Sequence, residues 1–316
     1  MVSICSNCIG IINKELSNLT LCDKCKEVLE NPHYNDLPNT FYKQMQDFLD
    51  SRSKKSIIFG FSGGLDSTVT LSHLVKECKI RNIKIIPITI DYGFKGKKTW
   101  SNINNVLNFL KVKENHVVYD ICSKKVKSKE IEEFFGPDLT VFNFYKKSYL
   151  SSILPCGKLC NYIIDKSYQK ILSENNESFL VTGGDTPKIN KEGKYSIYWE
   201  TKGFIIVRGG CAFQNTKKKN INYIKEKKIP WKDPQCGGYD TDCLLPGAIL
   251  FNMQNKNSEH SLEETVKKLP ILFDYFSERV RWGIIEKEVA LESVVNYDLA
   301  SEESLKEIKY LCNKGL

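Results

Sequence analysis

A chain of 316 residues, 41% of them apolar, has room for one large or two medium domains with a sizeable core. No apolar run approaches the roughly 20 residues that span a bilayer, and cysteines stand where a signal peptide would have its apolar region, so a cytoplasmic protein with no membrane partner is expected. A net charge of +8 leans toward polyanionic or nucleotide partners, and twelve cysteines in a reducing compartment point to metal or redox chemistry in place of disulfides.

The first segment reads Cys5-x2-Cys8, then Cys22-x2-Cys25. Each Cys-x2-Cys turn can aim two thiolates at one ion, and two such turns make the closed tetrahedral shell that Zn(II) prefers; chance spacing of free thiols is the plainer alternative. Residues 1–38 are read as a zinc ribbon and linker, too small to fold without its metal. A helix from Thr40 to about Asp50 opens a second region, 39–250, and residues 251–316 read as a helical appendage.

The run Ser56 to Phe61 is apolar and β-branched, and Thr68 to Lys79 carries Val69, Leu71, Leu74 and Val75 at roughly helical spacing. Between them lies Ser62-Gly63-Gly64-Leu65-Asp66-Ser67, a strand-to-helix turn. Two glycines let backbone amides converge on an anion at the positive end of the helix, and the hydroxyls of Ser62, Ser67 and Thr68 can join them. An ordinary turn capped by Asp or Ser satisfies the same pattern. The Lys of the Gly-x4-Gly-Lys-Ser/Thr loop is absent. A second strand, Ile83 to Ile90, ends at Asp91, placed to meet a ribose, an adenine or Mg2+, or simply to open a turn. Helical spacing around Trp100 to Leu110 and a strand near His116 to Tyr119 complete a strand-helix alternation. It predicts an α/β fold with a doubly wound, mostly parallel sheet.

Residues 122–152 are first basic, then aromatic, which serves either a nucleic acid or an ordinary helix with its aromatics inside. Cys156 and Cys160 precede a helix at about 161–174, where thiol pKa values are expected to be lowered, and a strand from Phe179 to Thr182 ends at Gly183-Gly184-Asp185. Apolar runs at 195–199 and 203–207 read as a hairpin ending at Arg208, followed by the lysine-dense stretch 217–228 and by Cys211, Cys236 and Cys243. Helices are expected at 262–282, 286–295 and 302–312, and the four histidines cluster with no motif.

The hexapeptide from Ser62 to Ser67 resembles the signature of the PP-loop ATP pyrophosphatase superfamily (adenine nucleotide alpha hydrolase-like, Rossmann-like). That resemblance implies enzymes that cleave ATP between the α and β phosphates, adenylate a substrate oxygen, and replace it with sulfur or nitrogen. It implies ATP and Mg2+ as cofactors, with Ser62, Gly63, Gly64, Asp66, Ser67, Thr68, Asp91 and Gly183 at the nucleotide and Asp66 in catalysis. The order of the second cysteine set is similar to that of PP-loop tRNA thiolation enzymes. By that likeness Cys156, Cys160 and Cys236 would be catalytic and hold a 4Fe-4S cluster with one open iron, although the pair is Cys-x3-Cys, Gly184-Asp185 stand where a His is usual, and Cys211 and Cys243 compete as ligands. Thiols carrying a persulfide, or structural thiols, fit the same order. A looser likeness to N-acetyl sugar amidotransferases rests on Asp91-Tyr92-Gly93-Phe94 and Arg279 to Gly283. The expected partners are therefore tRNA or a small-molecule acceptor, a sulfur donor protein or a glutaminase, and a second copy in a homodimer; a non-catalytic RNA- or protein-binding module is the alternative of another class.

Overall fold

The computed structural model describes residues 3–12, 21–30, 36–53, 55–156, 158–201, 203–237, 242–256, 270–296 and 300–314. A short hairpin of β1 (Ser3–Ile4) and β2 (Ile11–Ile12) precedes α1 (Asp23–Leu29) and α2 (Leu37–Asp50). Then come β3 (Ser56–Gly60), α3 (Leu65–Ile80), β4 (Lys84–Asp91), α4 (Lys97–Phe109) and β5 (Val117–Asp120). Helices α5 (Lys129–Phe135), α6 (Val141–Leu150) and α7 (Lys158–Glu174) lead back to β6 (Phe179–Thr182). Strand β7 (Lys188–Ile189) pairs with β8 (Tyr195–Ser196), and β9 (Tyr198–Thr201) turns into β10 (Phe204–Arg208). The remaining helices are α8 (Gly209–Ala212), α9 (Lys217–Glu226), α10 (Leu245–Lys256), α11 (Pro270–Arg281), α12 (Lys287–Asn296) and α13 (Glu302–Lys314).

The central sheet has six strands in the order β5-β4-β3-β6-β10-β9, parallel except for the edge strand β9. From β3 the chain winds outward through β4 and β5, then returns to β6 on the other side of β3. The switch point between β3 and β6 is where such sheets bind ligands, beyond the carboxyl ends of the strands. Alternation along β3 shows why both faces are covered. Ile57 and Phe59 enter a core with α2, α3 and α4, while Ile58 enters the opposite core with α6, α7, α10 and α13.

The sheet and its flanking helices are those expected of a doubly wound α/β protein, and three local differences have physical causes. The aromatic half of 122–152 forms α6, with Phe142, Phe144, Tyr145 and Tyr149 buried in the core, so those rings are not a stacking surface. Helix α7 begins at Lys158, earlier than the sequence pattern suggested, which puts Cys160 in its first turn. The last helix packs Leu305, Ile308 and Cys312 into the same core as β4. Residues 31–35 of the expected linker and 262–269 of an expected helix lie outside the described residues. Among the described residues no helix is long and apolar enough to cross a membrane. Phe59 is fully buried between the sheet and its helices, and Phe59→Ala should lower stability by about 3–5 kcal/mol, read from the urea unfolding midpoint.

Candidate active site and metal centre

The hairpin and the start of α1 bring Cys5, Cys8, Cys22 and Cys25 together, with their sulfurs all within 4.8 Å of one another. Backbone donors are aimed at two of them: the Gly10 amide reaches Cys8 Sγ at 3.2 Å and the Cys22 amide reaches Cys5 Sγ at 3.2 Å. The Asn7 side chain donates to Cys25 Sγ at 3.5 Å. Burial would raise Cys5, yet amides of Cys22, Cys8 and Asn7 bring it down to about 6. Burial pushes the Cys8 and Cys22 thiols up, and charge on Cys25 adds to that. Four thiols this close ionise together only around a cation, and an all-sulfur set of four donors fits Zn(II), which prefers to hold them as a tetrahedron. Ile9 and neighbouring side chains pack against Phe273 and Phe276 of α11, which docks the ribbon on the body of the protein.

The loop between β3 and α3 is built on Gly63, whose φ of +87° favours glycine, and a Cβ there would come within 2.7 Å of the Ile103 side chain. Its carbonyls are held from outside. Trp231 Nε1 donates to Gly63 O at 3.0 Å, and Lys95 Nζ to Ser62 O at 3.3 Å. The Ser67 hydroxyl donates to Gly64 O at 3.0 Å and lies 3.0 Å from the Ser62 hydroxyl, while the Thr68 hydroxyl is buried without a hydrogen-bond partner. The amides of Leu65 and Ser67, in the first turn of α3, donate to nothing among the described residues. A turn that spends its carbonyls on the protein and keeps two amides and the Thr68 hydroxyl as unspent donors fits a phosphate. Asp66 points away from that side, with Oδ1 accepting from Asn220 Nδ2 at 2.6 Å.

Gly183, at the end of β6, closes in on the same turn: a Cβ there would lie 2.7 Å from both Ser67 N and Ser67 Cα. Arg208, at the end of β10, stands beside Gly184, donates to the Thr186 hydroxyl at 2.9 Å, and keeps a buried Nε with no partner. Arg279 of α11 reaches Asp185 at 3.2 Å, so the C-terminal region supplies a cation to this end of the sheet. Asp91 also sits at the carboxyl end of its strand, where its Oδ1 accepts from the Gly93 amide at 2.8 Å and shapes the following turn.

A cavity of about 260 Å3 opens beside the loop, lined by Ser62, Lys95, Cys156, Cys160, Asp242 and Cys243 among others. The structure therefore brings Cys156 and Cys160 to the loop, as the sequence reading expects, but joins them with Cys243. Cys236, the cysteine expected by position, is buried under the start of α10, with its thiol turned toward Pro234 O at 3.8 Å and outside that lining. Cys211 lies in α8, in the core on the other face of the sheet. The expected lowering of thiol pKa does not occur either. Burial, with repulsion from Cys160 and Cys243, pushes Cys156 well up; burial raises Cys160, and it pushes Cys243 up to about 12. Desolvation outweighs the helix end.

Sequence reasoning also passed over Lys95 and Asp242. The Lys95 ammonium pairs with the Asp242 carboxylate and lies 5.2 Å from the Tyr92 ring centroid, joining the loop to the segment that carries Cys243. The available signal was position: Lys95 follows Asp91 to Phe94 just past a strand end, and Asp242 adjoins Cys243. The Tyr145 hydroxyl is 3.1 Å from Cys160 Sγ and completes the wall. Gly157 and the Lys158 side chain lie outside the described residues.

Residues 56–133, from β3 to α5, match the family model described as the queuosine biosynthesis protein QueC, and this stretch is similar to the PP-loop ATP pyrophosphatase family to which that model belongs. Among individual proteins, an uncharacterised protein of Methanocaldococcus jannaschii is 22% identical over 293 residues, covering 90% of this chain and 91% of that one. Similar solved structures include the U34-tRNA thiolase NcsA from Methanococcus maripaludis with its 4Fe-4S cluster, at 13% identity and a TM-score of 0.43, covering 99% of this chain and 96% of that one. The NH3-dependent NAD synthetase of Campylobacter jejuni, in complex with a nitrate ion, follows at 13% identity and 0.34, covering 89% and 93%. The NAD+ synthetase of Burkholderia pseudomallei is 10% identical with a TM-score of 0.39, covering 92% and 94%.

Two outcomes are expected. Gly183→Ala forces a Cβ into the first turn of α3 and should weaken ATP binding at least about tenfold, measured by calorimetry, with an overpacking cost of about 1–3 kcal/mol in stability. Zinc added to metal-free protein should bind one ion per chain with release of protons, since Cys8 and Cys22 are held protonated without it, and Cys8→Ser should abolish that uptake.

Proposed function

We propose that the protein is an ATP-dependent sulfurtransferase that adenylates a substrate oxygen and replaces it with sulfur. The observation that carries this reading is the shared cavity: Ser62 of the loop and the thiols of Cys156, Cys160 and Cys243 line one space. ATP would sit with its phosphates on the Ser62–Thr68 turn, where the amides of Leu65 and Ser67 and the hydroxyl of Thr68 offset the charge that develops as pyrophosphate leaves. Arg208, Arg279 and Mg2+ would add positive charge at the same edge. The acceptor oxygen attacks the α phosphorus, the bond to the bridging oxygen breaks, and pyrophosphate departs with the electron pair. Hydrosulfide then adds at the activated carbon, the carbon–oxygen bond breaks, and AMP leaves.

Soft thiolate donors from two separate segments, the start of α7 and the stretch before α10, suit a 4Fe-4S cluster, with Cys156, Cys160 and Cys243 as its protein ligands. Such a cluster, held by three cysteines, supplies an iron free to hold hydrosulfide. The chain's own part is to hold the thiols against the loop. Lys95 binds Ser62 O and Asp242 at once, and Tyr145 Oη orients Cys160. Burial keeps the three thiols from acting as free thiolates, which favours a metal-bound role over an unassisted persulfide carrier.

Anaerobically prepared protein should contain iron and acid-labile sulfide in addition to zinc. With bulk tRNA as acceptor, Cys156→Ala and Cys243→Ala should lose thiolated product about 100-fold or more while still releasing pyrophosphate, and Cys236→Ala should keep both activities. Full thiolation by Cys156→Ala, or turnover supported by ammonia and indifferent to sulfide, would overturn the reading; the second result would assign nitrogen insertion on a sugar or another small molecule.

A further inference from the structure

Helix α7 has cavities on two sides. At Cys160, Ile164 and Tyr168, spaced by one turn each, it faces the thiol cavity. At Tyr162, Lys166 and Lys170, with the same spacing but displaced by two residues and so nearly opposite, it faces a second cavity of about 390 Å3. That space lies between α7 and the loop following β5. Among the described residues, five lysines line it, Lys124, Lys125, Lys127, Lys166 and Lys170, and no carboxylate does.

Neutralisation of these lysines is partial. Lys125 pairs with Asp138 at 2.7 Å and Lys170 with Glu174 at 3.6 Å, both at exposed positions where such pairs are worth little. Lys124, Lys127 and Lys166 form no ion pair among the described residues. The Lys124 ammonium is held 3.7 Å from the Tyr119 ring centroid, and the Lys166 ammonium reaches Gln169 Oε1 at 3.3 Å. The Tyr162 hydroxyl donates to Lys127 O at 2.6 Å, tying the loop to α7 and fixing the width of the opening. Within the wall, the buried Tyr119 hydroxyl lies beside the Lys170 ammonium and raises its pKa. Like charges gathered around a cavity repel one another unless an anion joins them, and the Tyr119 hydroxyl lies in the same wall.

We propose that this cavity binds a phosphate group of the acceptor, as a phosphodiester of an RNA or as the monoester of a small molecule, at a site separate from the ATP loop. A helix is about 10–12 Å across, so a phosphate seated here lies about that far, or one to two nucleotides, from the thiol cavity on the other side of α7. The proposal deepens the transferase reading and depends on it only for the word acceptor.

The test is equilibrium binding of a fluorescent oligoribonucleotide and of ribose 5-phosphate across a salt series, to wild type and to Lys124→Gln/Lys166→Gln. If RNA is the source, the double variant should bind the oligonucleotide at least about tenfold more weakly, with a slope of log K against log salt shallower by about 1.4, two contacts at about 0.7 each. If a small acceptor is the source, ribose 5-phosphate should bind wild type and lose that binding in the variant. No binding of either probe, or equal binding by wild type and variant, would overturn the proposal. ATP affinity should be unchanged in the variant. Cys156→Ala should leave phosphate binding intact, so that failure of this proposal and failure of the sulfur reading give different results.

Discussion

The ammonium of Lys95 is the point on which the candidate site depends. It is buried, and a buried cation is tolerated only with its hydrogen bonds and counter-charge supplied. Ser62 O supplies one bond, Asp242 the charge, and Tyr92 a ring face. Because these three belong to the Ser62–Ser67 turn, to the segment bearing Cys243 and to the end of β4, satisfying one charge fixes the mutual position of all three. Thr99 adds a second tie, its hydroxyl donating to Asp242 O at 3.1 Å. Removing either partner of such a pair would leave the other buried and alone, a heavier penalty than the net worth of the pair itself.

The sheet does the complementary work. Its switch point leaves a crevice between β3 and β6, and what fills that crevice depends on side-chain size. At Gly63 and Gly183 it is the missing Cβ that matters, because a methyl group at either would meet Ile103 or the backbone of Ser67. The amide edge of α3 thus stays open through absences, while Trp231 and Lys95 hold the loop from behind through presences.

Much of this was legible in the sequence, for reasons of range. The Ser62–Ser67 turn and the paired Cys-x2-Cys motifs are local, so spacing alone encodes them, and the strand alternation predicts the doubly wound sheet. What was not legible depends on packing between distant segments. Whether Cys236 or Cys243 meets Cys156 is decided by the way Leu244 N binds Phe94 O and Cys243 pairs with Lys95, a contact across about 150 residues that no spacing rule contains. The thiol pKa values went the other way from the helix-end expectation because burial, invisible in one dimension, dominates. The aromatic residues from Phe142 to Tyr149 look like a stacking surface in sequence and are core in space, whereas the lysines just before them line a cavity.

The two sulfur sites also differ in how far apart their ligands lie along the chain. All four ribbon cysteines occur by residue 25, so during synthesis that set is complete before the sheet exists. The thiols near the Ser62–Ser67 turn come from positions 156, 160 and 243, and they meet only once β3, β4, α7 and α10 have been made and packed. Assembly of the two thiol sets is thereby ordered in time: the first can gather as the chain emerges, and the second gathers only in a finished domain. A half-made protein therefore holds the first thiol set without the second.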